Sequence, residues 1–315
     1  MQKPRIVFMG TPDFAVGILN ALLQNEQTIV GVITAPDKPA GRGRKINQSA
    51  VKVFAQEHNL KVLQPTNLKA TSFLDELASL NADLQIIVAF RMLPKVVWNM
   101  PKLGTFNLHA SLLPEYRGAA PINWAIINGE TITGVTTFYI DEKIDTGAIL
   151  LQEEVTIDPL ENVAGLHDKL MSKGASLVIA TIKAIASDSI TAKVQTTSTA
   201  PRVAYKIHKE TCNINWSGSA QNIFNFIRGL APYPTAWTTL INGTEATTVK
   251  VFESKMELET HNFSTGKIIA TKKEMKIAVR NGFIHLLEIQ LQGKRRMPVN
   301  AILNGLKLDK DAHFR

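Results

Sequence analysis

The chain has 315 residues, of which 45% are hydrophobic, and its 35 Lys and Arg against 27 Asp and Glu give a formal net charge of +8. This length exceeds that of most single domains and predicts two globular domains, each with its own core. The sequence holds no run near the ~20 apolar residues of a membrane span, and its start lacks the apolar core of a signal peptide, so we expect a cytoplasmic protein with no membrane contact.

The first part of the chain alternates strand and helix patterns. Short apolar runs predict strands at 5–10, 28–34, 61–63, 84–89 and 104–109. Helical patterns lie between them at 14–23, 48–58 and 67–80. This alternation predicts an α/β domain with a doubly wound, mainly parallel, Rossmann-like sheet. Two strands at 134–140 and 147–155 and a long helix at 160–186 complete the domain, which we assign to residues 1–189.

The second part carries shorter, β-type patterns. Residues 190–208 are rich in Ser, Thr, Ala and Lys and predict a linker. A helical pattern follows at 220–228. Five short strand patterns lie at 236–241, 248–254, 266–271, 275–279 and 284–292. Short strands separated by turns predict a small OB-like β-barrel domain at residues 209–315.

The net positive charge of the chain comes entirely from this second part. Residues 1–189 carry 17 basic and 18 acidic side chains, whereas residues 190–315 carry 18 and 9. A near-neutral first part and a basic second part predict chemistry in the first and a polyanion, such as nucleic acid, bound to the second. A basic domain that is merely well solvated is the alternative.

Three common kinds of site are disfavoured. The turn Gly10-Thr11-Pro12-Asp13-Phe14-Ala15 has Pro12 and Ala15 where a dinucleotide-binding turn needs glycine. The loop at 41–45 lacks the Gly-Lys-Ser/Thr context of a phosphate-binding loop and is a cationic loop. The seven histidines show no ligand-like spacing, and the single Cys212 is expected to be a small buried residue, so no metal is predicted.

Asn107, His109 and Asp145 form the candidate catalytic set. If residues 105–109 are a strand, its period of two places Asn107 and His109 on one face. An asparagine amide can donate to a developing oxyanion, and a histidine can accept the proton of an attacking amine. Asp145 could hold the imidazole tautomer. No nucleophile context is evident, which predicts direct formyl or acyl transfer to an amine through a tetrahedral intermediate; an Asn in a turn, a core His and a turn-capping Asp remain the alternatives.

The stretch at 107–121, together with Asp145-Thr146-Gly147, resembles the signature of the folate-dependent formyltransferases. The segments 8–15 and 36–43 and the basic second domain resemble the tRNA-modifying members of that family. The resemblance covers essentially the whole chain. It implies transfer of the formyl group of 10-formyltetrahydrofolate to the α-amino group of methionyl initiator tRNA, for translation initiation, with Asn107, His109 and Asp145 as the catalytic residues.

The same resemblance, with the charge distribution, gives candidate binding residues. The folate contacts it implies are Ser111, Leu112, Leu113, Pro114, Phe90, Arg91 and Met92. Basic candidates for tRNA contact are Arg42, Arg44, Lys45, Lys206, Lys209, Arg228, Lys294, Arg295 and Arg296. We expect a monomer. The rival functions are formylation of glycinamide ribonucleotide or of a nucleotide-linked aminosugar, and non-catalytic RNA binding.

Overall fold

A computed structural model describes residues 3–40, 45–196 and 200–315 of the chain. These residues group into two units. The first unit comprises Met1–Gly118, Thr133–Thr156 and His167–Val203. The second comprises Ala119–Ile132, Ile157–Leu166 and Ala204–Arg315. The domain limits derived from the sequence, 1–189 and 209–315, remain a prediction.

A seven-stranded sheet forms the centre of the first unit. In chain order the strands up to residue 156 are β1 Arg5–Gly10, β2 Thr28–Ile33, β3 Lys38–Ala40, β4 Lys45–Asn47, β5 Val62–Leu63, β6 Leu84–Val88, β7 Thr105–His109, β8 Arg117–Gly118, β9 Ile132–Tyr139 and β10 Ile149–Thr156. The sheet order is β10-β9-β7-β6-β1-β2-β5. Strands β5, β2, β1, β6 and β7 pair in parallel, and β9 is antiparallel to β7, which confirms the predicted mainly parallel sheet.

The order of these strands indicates at which end of the central strands a ligand would bind. From β1 the chain passes to β2 and β5 on one side and then returns to β6 and β7 on the other. In open α/β sheets, ligands bind at the carboxyl ends of the strands where the order reverses. The carboxyl ends of β1, β6 and β7 therefore border the expected site.

The α-helices of the described residues are divided between the two units. In chain order they are α1 Asp13–Gln24, α2 Ala50–Glu57, α3 Thr71–Ser79, α4 Lys95–Trp98, α5 Pro121–Ile127, α6 Val163–Ala186, α7 Ala220–Leu230 and α8 Val299–Leu303. All five residues of β6 are buried, and four of them are apolar, as expected for a central strand of a parallel sheet. None of the helices within the described ranges is long and apolar enough to cross a membrane.

A short hairpin extends from the first unit between β2 and α2. Its strands β3 and β4 pair antiparallel, with Lys38 opposite Asn47. Residues 41–44 of the predicted cationic loop lie outside the described residues. At the base of the hairpin, the carboxylate of Asp37 accepts hydrogen bonds from Gln64 and Lys52. These two donors hold the pKa of Asp37 below its usual value. The base of the hairpin is therefore fixed by polar contacts.

The second unit contains a nearly closed antiparallel barrel, as predicted. Strand β11 Val203–Ala204 precedes the barrel and pairs with β8. The barrel strands are β12 Ala236–Asn242, β13 Glu245–Leu258, β14 Ile268–Ala270, β15 Met275–Val279, β16 Gly282–Leu291, β17 Met297–Pro298 and β18 His313–Phe314. They are arranged in the order β14-β15-β16-β13-β12-β18, with β17 paired to β16. A bridge between Lys267 and His313 joins the two ends of this order and closes most of the barrel.

Helix α7 and the short helix Glu210–Cys212 pack with the apolar core of the barrel. Ser219 caps α7 by accepting a 3.2 Å hydrogen bond from the backbone N–H of Asn222. The side chain of Cys212 is 1% exposed, which confirms the expected small buried residue. Burial also raises the pKa of the Cys212 thiol.

Candidate active site

Strand β7 presents Asn107 and His109 on one face of the sheet, as its sequence period predicted. Leu108 points the other way, toward α6, where a Cβ placed on Gly174 would lie 2.7 Å from Leu108 Cδ2. Because side chains alternate along a strand, Asn107 and His109 share the opposite face. Both lie in the carboxyl half of β7, one strand away from the reversal of strand order between β1 and β6. They therefore lie near the carboxyl ends of the strands, where this fold class binds ligands.

The imidazole of His109 is buried and held in one tautomer. Its side chain is only 7% exposed. Nε2 lies 2.8 Å from the backbone carbonyl of Tyr116, to which it donates a hydrogen bond. In the neutral ring the lone pair is then on Nδ1, which lies 3.8 Å from Oδ2 of Asp145. The carbonyl of Tyr116 thus fixes the tautomer, a role that the sequence suggested for Asp145.

Asp145 reaches this histidine from the turn between β9 and β10. Its backbone has a φ of 54°, in the left-handed region, which Asp adopts more readily than most residues other than glycine. Oδ2 accepts a 2.9 Å hydrogen bond from the backbone N–H of Gly118. A Cβ on Gly147 would lie 1.7 Å from the carbonyl oxygen of Tyr139, so no other residue fits at that position of the turn. The turn geometry therefore places the carboxylate opposite the free nitrogen of His109.

Asn107 retains unused hydrogen-bonding capacity. Its side chain is partly exposed, but its Oδ1 is buried and has no hydrogen-bond partner within the described part of the chain. An unpaired buried amide oxygen costs about 1–3 kcal/mol, so such atoms are uncommon without a ligand or a function. An amide with open capacity, an imidazole and a carboxylate can together stabilise an oxyanion and move a proton.

The loop after β7 is held by a set of internal hydrogen bonds. The Ser111 hydroxyl is fully buried and donates a 2.6 Å hydrogen bond to the carbonyl of Glu115. Thr136 Oγ1 donates to the carbonyl of Ser111 and accepts from the N–H of Leu113. The carbonyl of Leu113 accepts from Gln152 Nε2 at 2.9 Å. The loop is fixed in place, and the hydroxyl of Ser111 serves the loop itself.

The second candidate folate segment follows β6. Phe90 is partly buried against the apolar core of the first unit. The guanidinium of Arg91 donates to the backbone carbonyls of Pro65 and Thr66. Met92 is 65% exposed. Arg91 therefore anchors this segment, and the folate contacts at 90–92 and 111–114 remain a prediction.

The candidate tRNA contacts differ in how the structure places them. Lys206, Lys209, Lys294, Arg295 and Arg296 are exposed, and the last three lie between β16 and β17. Lys45 belongs to β4, whereas Arg42 and Arg44 lie outside the described residues.

The prediction that Arg228 is an exposed tRNA contact is wrong. Its side chain is almost wholly buried, and the guanidinium donates to Asn225 Oδ1 at 3.0 Å and to the carbonyl of Glu161 at 2.7 Å. Burial lowers the pKa of Arg228, although the nearby Glu161 partly offsets this. Its charge serves the interior of the second unit.

Several residues at the site were not predicted from the sequence. Tyr116 and Gly118 lie inside the signature stretch, and Gly118, with a φ of 121°, could have been recognised as a special backbone position. Nothing in the sequence around Gln195, which lies in the predicted linker, indicated a role at the site. Among residues 3–40, 45–196 and 200–315 there is no group of three or more His, Cys, Asp or Glu side chains that could hold a metal ion.

Comparison with known proteins identifies relatives along the whole chain. A family model described as "Formyl transferase" matches residues 4–182, and "Formyl transferase, C-terminal domain" matches residues 206–307. The methionyl-tRNA formyltransferase of Flavobacterium johnsoniae is 58% identical over 312 residues, which cover 99% of both chains. That of Bacteroides thetaiotaomicron is 52% identical and covers 96% of both chains.

Solved structures share the fold at low sequence identity. An N-formyltransferase from Helicobacter canadensis, in complex with folinic acid and dTDP-3-aminofucose, has a TM-score of 0.65 and 22% identity, covering 90% of this chain and 98% of that one. HypX from Aquifex aeolicus in complex with tetrahydrofolic acid has a TM-score of 0.65 and 18% identity, covering 98% of this chain and 49% of that one.

Proposed function

Because the chain belongs to the family of the methionyl-tRNA formyltransferases, we propose that it transfers the formyl group of 10-formyltetrahydrofolate to the α-amino group of methionyl initiator tRNA. The two family models, matching successive parts of the chain, support an enzyme with both the catalytic and the C-terminal domain. Translation initiation in the cytoplasm is the process this reaction would serve. A monomeric state remains a prediction.

The observation that carries the proposal is the convergence of Asn107, His109 and Asp145 at the end of β7. Transfer of a formyl group to an amine places negative charge on the carbonyl oxygen and an extra proton on nitrogen. The amide of Asn107 can donate to that oxygen, a contact whose loss typically costs ~10²- to 10³-fold in rate. His109 Nδ1 can accept the proton, and the carboxylate of Asp145, 3.8 Å away, stabilises the imidazolium that results.

The acceptor amine needs little activation. A free α-amino group has a pKa of about 7.7–8.0 and is partly neutral near pH 7. His109 then acts mainly as the transferred group leaves its donor, when the departing nitrogen needs a proton. Direct transfer, with no covalent enzyme intermediate, follows from this set of residues.

The residues at the site also fit a folate as the formyl donor. Ser111–Pro114 form a loop fixed by Thr136 and Gln152, and the segment at 90–92 follows the neighbouring strand β6. Together they offer ordered backbone and apolar side chains beside Asn107, which suit a flat heteroaromatic ring and its polar edge. When bound, 10-formyltetrahydrofolate would supply the activated formyl group.

The exposed basic side chains of the second unit are proposed to bind the tRNA. Lys206, Lys209 and the cations at 294–296 are exposed, and residues 190–315 have nine more basic than acidic side chains. Neutralising phosphates releases counterions, so affinity for tRNA should fall steeply between 50 and 200 mM salt, by a factor on the order of 10³. A small acceptor such as glycinamide ribonucleotide would not need this surface.

A comparison of acceptors tests the proposal. The protein is incubated with 10-formyltetrahydrofolate and, separately, with methionyl initiator tRNA, methionyl elongator tRNA, glycinamide ribonucleotide and a nucleotide-linked aminosugar. We expect formyl transfer to the initiator tRNA with a much higher kcat/KM than to any other acceptor. Preferred transfer to either small acceptor, or no transfer at all, would overturn the assignment.

A further inference from the structure

The chain segment that follows α6 returns to the turn that carries Asp145. Lys193 and Ile149 exchange two backbone hydrogen bonds, each 2.8 Å long. This bridge fixes the segment beside the start of β10 and places Gln195 next to the turn. Gln195 is half-buried, whereas its neighbours Val194 and Thr196 are exposed. The segment is therefore more than a connection between domains.

The amide of Gln195 uses both of its ends in this position. Nε2 donates to the backbone carbonyl of Asp145 at 3.1 Å and to that of Gly147 at 2.8 Å. Oε1 accepts from Nε and Nη2 of Arg117 at 3.2 and 2.6 Å. These four hydrogen bonds use both donors and both lone pairs of the amide. Gln195 has no capacity left with which to bind a substrate.

The contacts of Gln195 connect the two supports of the Asp145 carboxylate. Arg117 precedes Gly118, whose N–H donates to Asp145 Oδ2 at 2.9 Å. Gln195 thus bonds at one end to the backbone of the Asp145 turn and at the other to the residue beside the carboxylate's own donor. A closed ring of contacts runs from Asp145 through Gln195, Arg117 and Gly118 back to Asp145.

We propose that Gln195, bound to Arg117, is a positioning residue that holds the carboxylate of Asp145 opposite Nδ1 of His109. This inference rests on the proposed function and identifies a further residue of the same site. Asp145 has a φ of 54°, a left-handed conformation that is less costly for Asp than for most residues but is still stabilised by hydrogen bonds that hold the turn. Gln195 supplies two of these hydrogen bonds.

Loss of the Gln195 amide should lower the rate rather than substrate affinity. Without it, two carbonyls of the turn lose their donor and the Arg117 guanidinium loses its acceptor, so the carboxylate can move away from His109. A displacement of about 1 Å at a catalytic group can cost on the order of 100-fold in rate. We expect Gln195→Ala to reduce kcat by ~10- to 100-fold with the KM for tRNA within about twofold of the wild type.

A double-mutant cycle separates positioning from a general structural role. Gln195→Ala is made in the wild type and in Asp145→Asn, and Val194→Ala, which alters an exposed neighbour, is the matched control. Since Gln195 acts through Asp145, Gln195→Ala should add less than about threefold to the loss caused by Asp145→Asn. The same full loss in both backgrounds, a rise in KM alone, or wild-type kcat in Gln195→Ala would overturn the inference.

Hydrogen–deuterium exchange tests the same contact without turnover. Amides at 141–148 should exchange faster in Gln195→Ala than in Val194→Ala, while the rest of the sheet keeps its protection. Unchanged exchange at 141–148 would show that Gln195 does not hold the turn. If the wild-type protein failed to formylate tRNA, the proposed function would fall, and the exchange comparison would still decide the role of Gln195.

Discussion

Gly147 allows the sharpest test of how the Asp145 turn controls the chemistry. A Cβ at this position would lie 1.7 Å from the carbonyl oxygen of Tyr139, and side-chain carbons essentially never approach such an atom within 3.0 Å. The turn must therefore move by about 1.3 Å, the difference between these distances. Asp145 is two residues away, so Gly147→Ala should displace its carboxylate by a similar amount and reduce kcat on the order of 100-fold.

The assay for Gly147→Ala is single-turnover formylation of methionyl initiator tRNA, measured with thermal unfolding of the same samples. Crowding of this kind typically destabilises a protein by about 1–3 kcal/mol, which leaves a folded protein to assay. Gly305→Ala is the matched control, because a Cβ there meets nothing within 4 Å, and it should keep wild-type kcat. Wild-type kcat in a folded Gly147→Ala variant would refute the link between turn geometry and catalysis.

Three further outcomes follow from the second unit. Glu257 accepts hydrogen bonds from His285 and Lys276, which lower its pKa to about 2. The stabilisation of the fold by ionised Glu257 should therefore be complete above pH ~4.5 and be lost as the pH falls toward 2. The Tm values of the wild type and of Glu257→Gln, measured against pH, should converge only in acid. Cys212 should react with iodoacetamide far more slowly in the folded than in the unfolded protein, because the thiol is buried and its pKa is raised; equal rates would contradict this packing. Alanine at all three positions of 294–296 should raise the KM for tRNA and reduce the salt slope by roughly 2–3, whereas an unchanged slope would exclude phosphate contacts there.

The local part of the site could be predicted from the sequence. A period of two places Asn107 and His109 on one face of a strand, and the alternating strand and helix patterns predict the mainly parallel sheet to which that strand belongs. The contacts that complete the site depend on chain segments far apart in sequence. Asp145, the carbonyl of Tyr116 and Gln195 meet only through the tertiary fold, so no local pattern could assign the tautomer of His109 to Tyr116.

The same distinction holds for the fold. The short β patterns and turns predicted a barrel, but its closure by His313 against Lys267 is a long-range pairing. Hairpin β3–β4 was missed because its strands are only three residues long. Arg228 was expected at the surface because of its charge, yet backbone carbonyls inside the second unit satisfy its guanidinium. An excess of charge in a sequence indicates the sign of the charge on a binding partner, whereas the burial of an individual charged side chain depends on packing.

We propose that Asn107 and His109 carry out formyl transfer while other residues hold the tRNA. The most direct test is single-turnover formylation of methionyl initiator tRNA by Asn107→Ala and His109→Ala, with the Kd for tRNA measured on the same proteins. We expect Asn107→Ala to lose ~10²- to 10³-fold in rate and His109→Ala at least ~10²-fold, with the Kd for tRNA nearly unchanged. Substantial turnover by both variants, or a loss explained by weaker tRNA binding alone, would contradict the account.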